Sequence, residues 1–249
     1  MSGHNRWSKI KRQKEAMGAS KGKLFTKVTK EITVSARIGG GDPAANARLR
    51  AAVLAARDAN MPSENIARAI KKGTGELEGT HYEEVTYEGY APGGVAVLVE
   101  CLTDNRHRTA ADIRANFSKG GGSLAVEGSV GWLFHRKGSI HVKPGPSEDQ
   151  VVEAALEAGA EDVVPLGGDC FEVRTDPHAL HPVASALEKA GLEIGEQRTA
   201  FLPQNTVRVE GDAARRVLKL LELLEDNDDV QNVWANYDID DAVLAAASA

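Results

Sequence analysis

The residues best suited to chemistry in this chain are an indole ring and the positive charges around it, close to the N-terminus. Between His4 and Lys14, one tryptophan is interleaved with basic side chains: Arg6, Trp7, Lys9, Lys11, Arg12 and Lys14. An indole can stack on a nucleobase while neighbouring cations contact phosphates, a combination that binds nucleic acid with little sequence preference. The alternative is a solvated tail in which Trp7 packs on the domain that follows it.

Basic charge is concentrated in the first third of the chain. Residues 1–80 hold 16 Lys or Arg and 7 Asp or Glu, a net charge of +9. The whole chain has a net charge of −6, so the remaining 169 residues carry −15. A basic segment on an acidic protein directs that segment to a polyanion, and nucleic acid is the expected partner.

A second basic feature lies on the first predicted helix. At 100° per residue, Leu24, Phe25, Val28 and Ile32 fall on one arc. The opposite arc is basic, and with the preceding lysine it comprises Lys21, Lys23, Lys27, Lys30 and Arg37. These side chains are predicted to contact phosphates. The alternative is the ordinary polar face of a surface helix, although only Glu31 interrupts the basic residues.

A third candidate lies between a predicted strand and a predicted helix. Arg106 and Arg108 alternate with His107 at the helix N-terminus, where unpaired N–H groups favour an anion. The alternative is that Asp104 or Thr109 caps the helix while the arginines pair with acids of a neighbouring domain. Both interpretations stay open at this point.

An acidic segment ends the last long helix, where the helix dipole disfavours negative charge. It contains Glu222, Glu225, Asp226, Asp228 and Asp229. Such a segment fits a basic partner or association with the first domain, but it is also typical of a solvated loop.

No enzymatic, metal or cofactor function is expected. The sequence has no phosphate-binding GxxxxGK[ST] motif and no HExxH motif, and no GxGxxG follows a strand. His178 and His181 are three residues apart, but no third ligand lies near them in sequence. The two cysteines, Cys101 and Cys170, each lie in a separate strand-like run, which fits a reducing compartment rather than a disulfide framework.

The periodicity predicts an α+β multidomain protein. Residues 21–73 have helical patterns, interrupted by glycines 39–41 and by Pro62, with Asp42-Pro43 as the start of the second helix and Gly73 as the end of the third. Residues 138–200 are predicted to form a ferredoxin-like βαββαβ unit, with strands at 139–143, 161–164, 170–174 and 192–199. The flanking segments predict a second unit of the same order, with strands at 95–102, 130–134, 206–209 and 230–237.

We therefore expect three domains. They are a basic arm and helical domain (1–79), a discontinuous α+β domain (80–135 and 203–249), and a ferredoxin-like domain inserted into it (136–202). No apolar stretch reaches the roughly 18 residues of a membrane span, and the N-terminus lacks the apolar region of a signal peptide, so a cytoplasmic protein without a membrane or small-molecule partner is expected. The oligomeric state stays open.

Several motifs along the chain resemble those of the YebC family of probable transcriptional regulatory proteins, also called PmpR-like. They are Gly3-His4-Asn5-Arg6-Trp7, Lys23-Leu24-Phe25-Thr26-Lys27, Gly40-Gly41-Asp42-Pro43, Ala59-Asn60-Met61-Pro62, Tyr87-Glu88-Gly89-Tyr90, Thr103-Asp104-Asn105-Arg106-His107-Arg108-Thr109, Gly128-Ser129-Val130 and Asp229-Val230-Gln231-Asn232-Val233. The resemblance implies an all-helical first domain followed by two α+β domains. It also implies a non-enzymatic regulator that binds nucleic acid.

The resemblance leaves the target of this regulator open. Duplex DNA near promoters is the target implied by the family name, and mitochondrial relatives activate translation, which implies ribosomal RNA or the ribosome. The Lys-rich helix and the basic arm are better suited to backbone contacts and irregular RNA than to base edges. A third class, a protein-interaction scaffold built from two ferredoxin-like domains, remains as an alternative.

Overall fold

The computed structural model describes residues 21–240 and residue 243. The seven α-helices of this part of the chain are α1 (Lys21–Gly39), α2 (Ala47–Asp58), α3 (Ser63–Thr74), α4 (Arg106–Lys119), α5 (Glu148–Glu157), α6 (Leu180–Lys189) and α7 (Gly211–Glu225). Its strands are β1 (Glu83–Ala91), β2 (Val95–Thr103), β3 (Ser123–Leu124), β4 (Phe134–Val142), β5 (Asp162–Gly167), β6 (Cys170–Thr175), β7 (Ile194–Pro203), β8 (Val207–Arg208), β9 (Val230–Ala235) and β10 (Tyr237–Asp238).

The described residues divide into two compact units. One unit comprises residues 133–205, and the other comprises the described residues on either side of them. The predicted fold class, an α+β multidomain protein with an N-terminal helical region and two ferredoxin-like units, is confirmed. The three predicted domain boundaries stay a prediction.

The helical region is built from α1, α2 and α3 around a small apolar core that includes Ile32, Leu49 and Ala56. The predicted start of α2 at Asp42-Pro43 is wrong. The Asp42 carboxylate instead accepts a hydrogen bond from the N–H of Ala44 in a turn, and the helix begins five residues later. Its cap is Asn46, whose Oδ1 accepts from the N–H of Leu49 at 3.1 Å.

The predicted end of α3 at Gly73 is also wrong, because Gly73 lies inside the helix where α3 crosses α1. A Cβ on Gly73 would lie 2.4 Å from the carbonyl oxygen of Thr33 and 2.7 Å from the Cβ of Ala36. Only a residue without a side chain permits this approach. The left-handed residue that ends the helix is Gly75, with φ of 84°.

The unit that contains the helical region also contains a four-stranded antiparallel sheet in the order β3-β1-β2-β9. Helices α4 and α7 contribute to the core beside it, with Phe117 and Leu221 almost fully buried. This is the spatial strand order of a ferredoxin-like sheet. Residues 206–209 were predicted to form the third strand of that βαββαβ unit. Strand β1, which comes before the predicted unit in the chain, occupies that position instead. Residues 206–209 contribute only the short β8, which pairs in parallel with β10 in a separate sheet.

The prediction of a strand at 130–134 is wrong, and the physical reason lies in the loop that precedes it. The Glu88 carboxylate accepts hydrogen bonds from the N–H groups of Gly128, Val130 and Gly131, at 2.6 to 2.9 Å. Burial would raise the pKa of Glu88, but these donors outweigh burial and lower it. The loop is thereby held in a turn, and Gly131–Leu133 forms a 3-10 helix instead of an extended strand.

Residues 133–205 form a βαββαβ unit with the strand order β5-β6-β4-β7, as the alternating pattern predicted. Its first and last strands are longer than predicted and pair along their length, from Phe134 opposite Pro203 to Val142 opposite Ile194. The two ends of the unit are therefore adjacent. Of the helices in residues 21–240, none is long and apolar enough to cross a bilayer.

Candidate nucleic-acid interface

The basic arc predicted on α1 is called here the α1 stripe (Lys21, Lys23, Lys27, Lys30 and Arg37). Three of its lysines lie against the C-terminal end of α7. Lys23 donates to the carbonyl oxygen of Asp226 at 3.2 Å and lies 3.4 Å from its Oδ1, while Lys27 donates to the carbonyl oxygen of Glu225. Lys30 is 7% exposed and donates to the carbonyl oxygens of Leu102 and Asp228. The prediction of a solvent-facing basic arc is therefore wrong for Lys30.

This contact explains why α7 tolerates acidic residues at its end. The last carbonyl groups of a helix lack intrahelical partners and carry the negative end of its dipole. Here the ammonium groups of α1 supply hydrogen-bond donors and positive charge to those carbonyls. Of the interpretations of the acidic segment, association with the first domain is the one that matches these contacts.

The carboxylate of Asp229 is the most densely bonded acid of this contact. It accepts from Lys30 at 2.6 Å, from Arg108 at 2.8 Å and from the hydroxyl of Thr109 at 2.7 Å, with a longer bond from Thr103 at 3.3 Å. Burial would raise the pKa of Asp229, but the hydrogen bonds from Arg108, Lys30 and Thr109 outweigh it and lower the pKa to about 2. Asp229 is therefore ionised throughout the physiological range.

The turn at the start of α4 contains no free anion site formed by its two arginines. Asn105 caps the helix, because its side chain accepts from the N–H of Arg108. Arg108 is bound to Asp104 and Asp229, which together raise its pKa, and Arg106 lies 3.8 Å from Glu83. The arginines thus pair with acids, but with acids of their own predicted domain and not of a neighbouring one. Asn105 takes the capping role expected of Asp104 or Thr109.

A cleft of about 540 Å³ opens beside this network. Lys23, Lys30 and Arg108 line it, but so do five aspartates: Asp104, Asp112, Asp226, Asp228 and Asp229. The ammonium of Lys30 also lies 5.5 Å from the centre of the Tyr82 ring, within the range of a cation–π contact. Because acids outnumber bases in its walls, the cleft repels a phosphate backbone.

The last residue of the predicted stripe, Arg37, is also engaged within the chain. Its guanidinium donates to the carbonyl oxygens of Thr80 and Tyr82. The side chain of Lys21 and the whole predicted arm lie outside the described residues. The arm residues concerned are Arg6, Trp7, Lys9, Lys11, Arg12 and Lys14, and their contact with nucleic acid stays a prediction.

The exposed basic residues of the helical region that have no ion pair among the described residues lie instead on α2 and α3. Five exposed basic side chains form no ion pair with any residue in the described part of the chain: Arg50, Arg57, Arg68, Lys71 and Lys72. Arg48 differs from them, since it binds both Glu31 and Glu84 at 2.6 Å. These five residues belong to the +9 charge of residues 1–80, but they were not among the candidate binding residues predicted from the sequence. A helical projection of α3 would have placed Arg68 and Lys72 on its outer face.

No group of three or more candidate metal ligands occurs within residues 21–240, which include His178 and His181. The N–H of His178 donates to the carboxylate of Asp176 in a turn before α6. Burial raises the pKa of the Cys101 thiol to about 12, so the thiol is protonated at neutral pH. A protonated thiol is a poor metal ligand.

Two family models match the chain and together cover most of it. The model described as the TACO1/YebC protein N-terminal domain matches residues 5–76, and the model described as the TACO1/YebC second and third domain matches residues 82–237. These matches confirm the resemblance inferred from the sequence motifs.

Two relatives of similar length are named probable transcriptional regulatory proteins. A probable transcriptional regulatory protein of Myxococcus xanthus is 66% identical over 244 residues, which cover 98% of each chain. A probable transcriptional regulatory protein of Desulforapulum autotrophicum is 53% identical over 99% of this chain and 100% of its own. The crystal structure of a conserved hypothetical protein from Aquifex aeolicus matches with a TM-score of 0.82 and 50% identity, over 90% of this chain and 92% of that one.

Proposed function

The chain belongs to the TACO1/YebC family, and we propose that it is a non-enzymatic regulator of gene expression that acts by binding nucleic acid. The names of its relatives support a regulatory role in general. The observation that carries the proposal of nucleic-acid binding is the charge asymmetry, with +9 in residues 1–80 and −15 in the rest of the chain. Phosphate contacts from such a segment supply affinity, while the acidic remainder limits non-specific adhesion.

Duplex DNA is the first proposed target. The relatives are named as transcriptional regulators, and the exposed bases on α2 and α3 provide cations that no described acid neutralises. In this proposal the α1 stripe contributes less to DNA affinity than expected from the sequence, because Lys30 is buried and Lys23 and Lys27 already bind the end of α7.

Titration of the full chain against a labelled 30-base-pair duplex, by fluorescence anisotropy at several salt concentrations, tests this proposal. We expect log K to fall linearly with log salt, with a slope of about −0.9 for each phosphate contacted. Single-stranded RNA of the same length serves as the comparison. If the chain binds neither polymer at low salt, the proposal is wrong and the scaffold alternative gains support.

Ribosomal RNA is the second candidate, and the residue that favours it is Trp7. An indole among basic residues is suited to stacking on unpaired bases, which duplex DNA does not offer. Replacement of Trp7 by alanine should weaken binding to single-stranded RNA by roughly 1 to 3 kcal/mol and leave the melting temperature unchanged. Sedimentation with ribosomes through a sucrose gradient, with and without nuclease, separates this candidate from the DNA-binding one.

A further inference from the structure

One face of the helical region carries exposed polar and basic side chains in the described part of the chain. The inner face of helix α3 packs against the rest of the helical region. Ile66 and Ala69 are buried in its core, and Gly73 lies against the backbone of α1. Its outer residues Asn65, Arg68 and Lys72 are all exposed. Their spacing of i, i+3 and i+7 keeps them within an arc of about 60° on an α-helix.

The connection between α2 and α3 is short and well bonded. Residues 59–62 separate the helices, and Asn60 has the left-handed φ of 59° that ends α2. The N–H of Met61 donates to the carbonyl oxygen of Ala56 at 2.9 Å, and the N–H of Asn60 donates to that of Arg57 at 2.8 Å. The Met61 side chain is 6% exposed and belongs to the core of the helical region. A turn of this length, anchored at its middle, matches that of helix-turn-helix motifs.

We infer that α2, residues 59–62 and α3 form a helix-turn-helix unit whose α3 lies in the major groove of duplex DNA. This inference rests on the proposed function and names the surface of the protein that would bind the DNA. Asn65 and Arg68, in the first two turns of α3, have the side chains that pair with the major-groove edges of adenine and guanine. Lys72, further along the helix, contacts the phosphate backbone.

Helix α2 provides additional cations for the backbone. Arg50 and Arg57 are two turns apart and both exposed, so they lie on one side of the helix. In helix-turn-helix proteins the first helix crosses the backbone while the second reads the bases. Two arginines on the exposed side of α2 supply the phosphate contacts that this geometry requires.

The composition of the two helices favours a duplex over a single strand. Neither α2 nor α3 contains an aromatic residue, so this surface offers no ring on which an unpaired base could stack. The outer face of α3 carries three cations against the single acid Glu64. A narrow, basic, ring-free helix fits a groove about 12 Å wide that is lined by phosphates.

The test compares the full chain with R68A/K72A and N65A variants, using a random-sequence pool of labelled 30-base-pair duplexes. The double variant should bind duplex DNA at least about tenfold more weakly, with a salt slope reduced by about 1 because one phosphate contact, that of Lys72, is lost. The N65A variant should retain non-specific affinity but enrich different sequences when bound duplexes are selected from the pool. All three side chains are exposed, so the melting temperature should not change.

The matched control is R215A. Arg215 is an exposed arginine on α7 with no ion pair among the described residues, and its removal should leave duplex affinity unchanged. If the unmodified chain binds duplex DNA and R68A/K72A binds it equally well, the helix-turn-helix assignment is overturned while the proposed function stands. If the double variant loses affinity for single-stranded RNA but not for duplex DNA, the assignment of a major-groove ligand is overturned. Failure of the unmodified chain to bind any nucleic acid overturns the proposed function itself.

Discussion

The ammonium of Lys30 lies 2.6 Å from Oδ1 of Asp229, and both side chains are less than one-tenth exposed. This ion pair joins α1 of the helical region to the segment that follows α7, across 199 residues of sequence. Removal of Lys30 would leave the buried Asp229 carboxylate with Arg108 as a cationic partner but without the charge and hydrogen bond of the buried ammonium, and loss of one partner of a buried pair is destabilising.

Replacement of Lys30 by methionine should therefore lower the free energy of unfolding by about 3 kcal/mol. The matched control is K23M, because Lys23 and Asp226 form an exposed pair whose loss should cost less than about 1 kcal/mol. Urea denaturation of both variants measures the difference. Equal effects of the two substitutions would show that the buried pair does not stabilise the fold.

Stability should also fall in acid because of Asp229. Its pKa is lowered from an ordinary value of 3.8 to about 2, so its contribution is complete above about pH 4 and is lost as the pH falls towards 2. A shift of this size corresponds to roughly 2 kcal/mol. The D229N variant should be less stable than the unmodified chain at pH 7, and this difference should shrink between pH 4 and pH 2. A difference that stays constant over this range would contradict the assigned pKa.

Two glycines of the helical region should respond to alanine in opposite directions. Helix propensity alone favours alanine over glycine by about 1 kcal/mol, and Gly22 of α1 has open space around it. Gly73 does not, since its Cβ would meet the carbonyl oxygen of Thr33 at 2.4 Å. Thermal denaturation should show G22A unchanged or stabilised and G73A clearly destabilised. A stabilised G73A would mean that α1 and α3 are not closely packed.

Residues 134–203 should be removable without loss of the rest of the fold. Phe134 is paired with Pro203, and the N–H of Gln204 donates to the carbonyl oxygen of Leu133 at 2.9 Å, so the two points of excision are adjacent. Joining them with a short Gly/Ser linker should give a protein that unfolds cooperatively and still binds nucleic acid. The excised segment, expressed alone, should also fold. An insoluble remainder or an unfolded segment would show that the predicted domain boundaries are wrong.

The sequence predicted elements best where local pattern and packing agree. In residues 133–205, alternating apolar residues and two amphipathic helices specified the strand order, and the structure differs mainly in strand ends. The strand predicted at 130–134 failed because a distant carboxylate, Glu88, binds the preceding backbone. Apolar composition alone does not reveal such a partner.

In the candidate site, too, features set by the local sequence pattern were predictable, and contacts between residues far apart in the sequence were not. The positions of Lys23, Lys27 and Lys30 on one side of α1 follow from helical periodicity. That this side faces the end of α7 depends on residues about 200 positions away, which periodicity does not detect. The charge surplus of the first 80 residues was visible in the sequence. Within that surplus, helical periodicity also places Arg68 and Lys72 on the outer face of α3. That the lysines of α1 are already bound within the chain depends on the fold.

Hydrogen–deuterium exchange of the full chain, with and without a saturating 30-base-pair duplex, tests the central claim most directly. If the basic N-terminal part binds DNA through α2 and α3, exchange should slow in residues 47–74 and stay unchanged in residues 133–205. Protection confined to residues 133–205, or to the acidic segment after α7, would contradict the account.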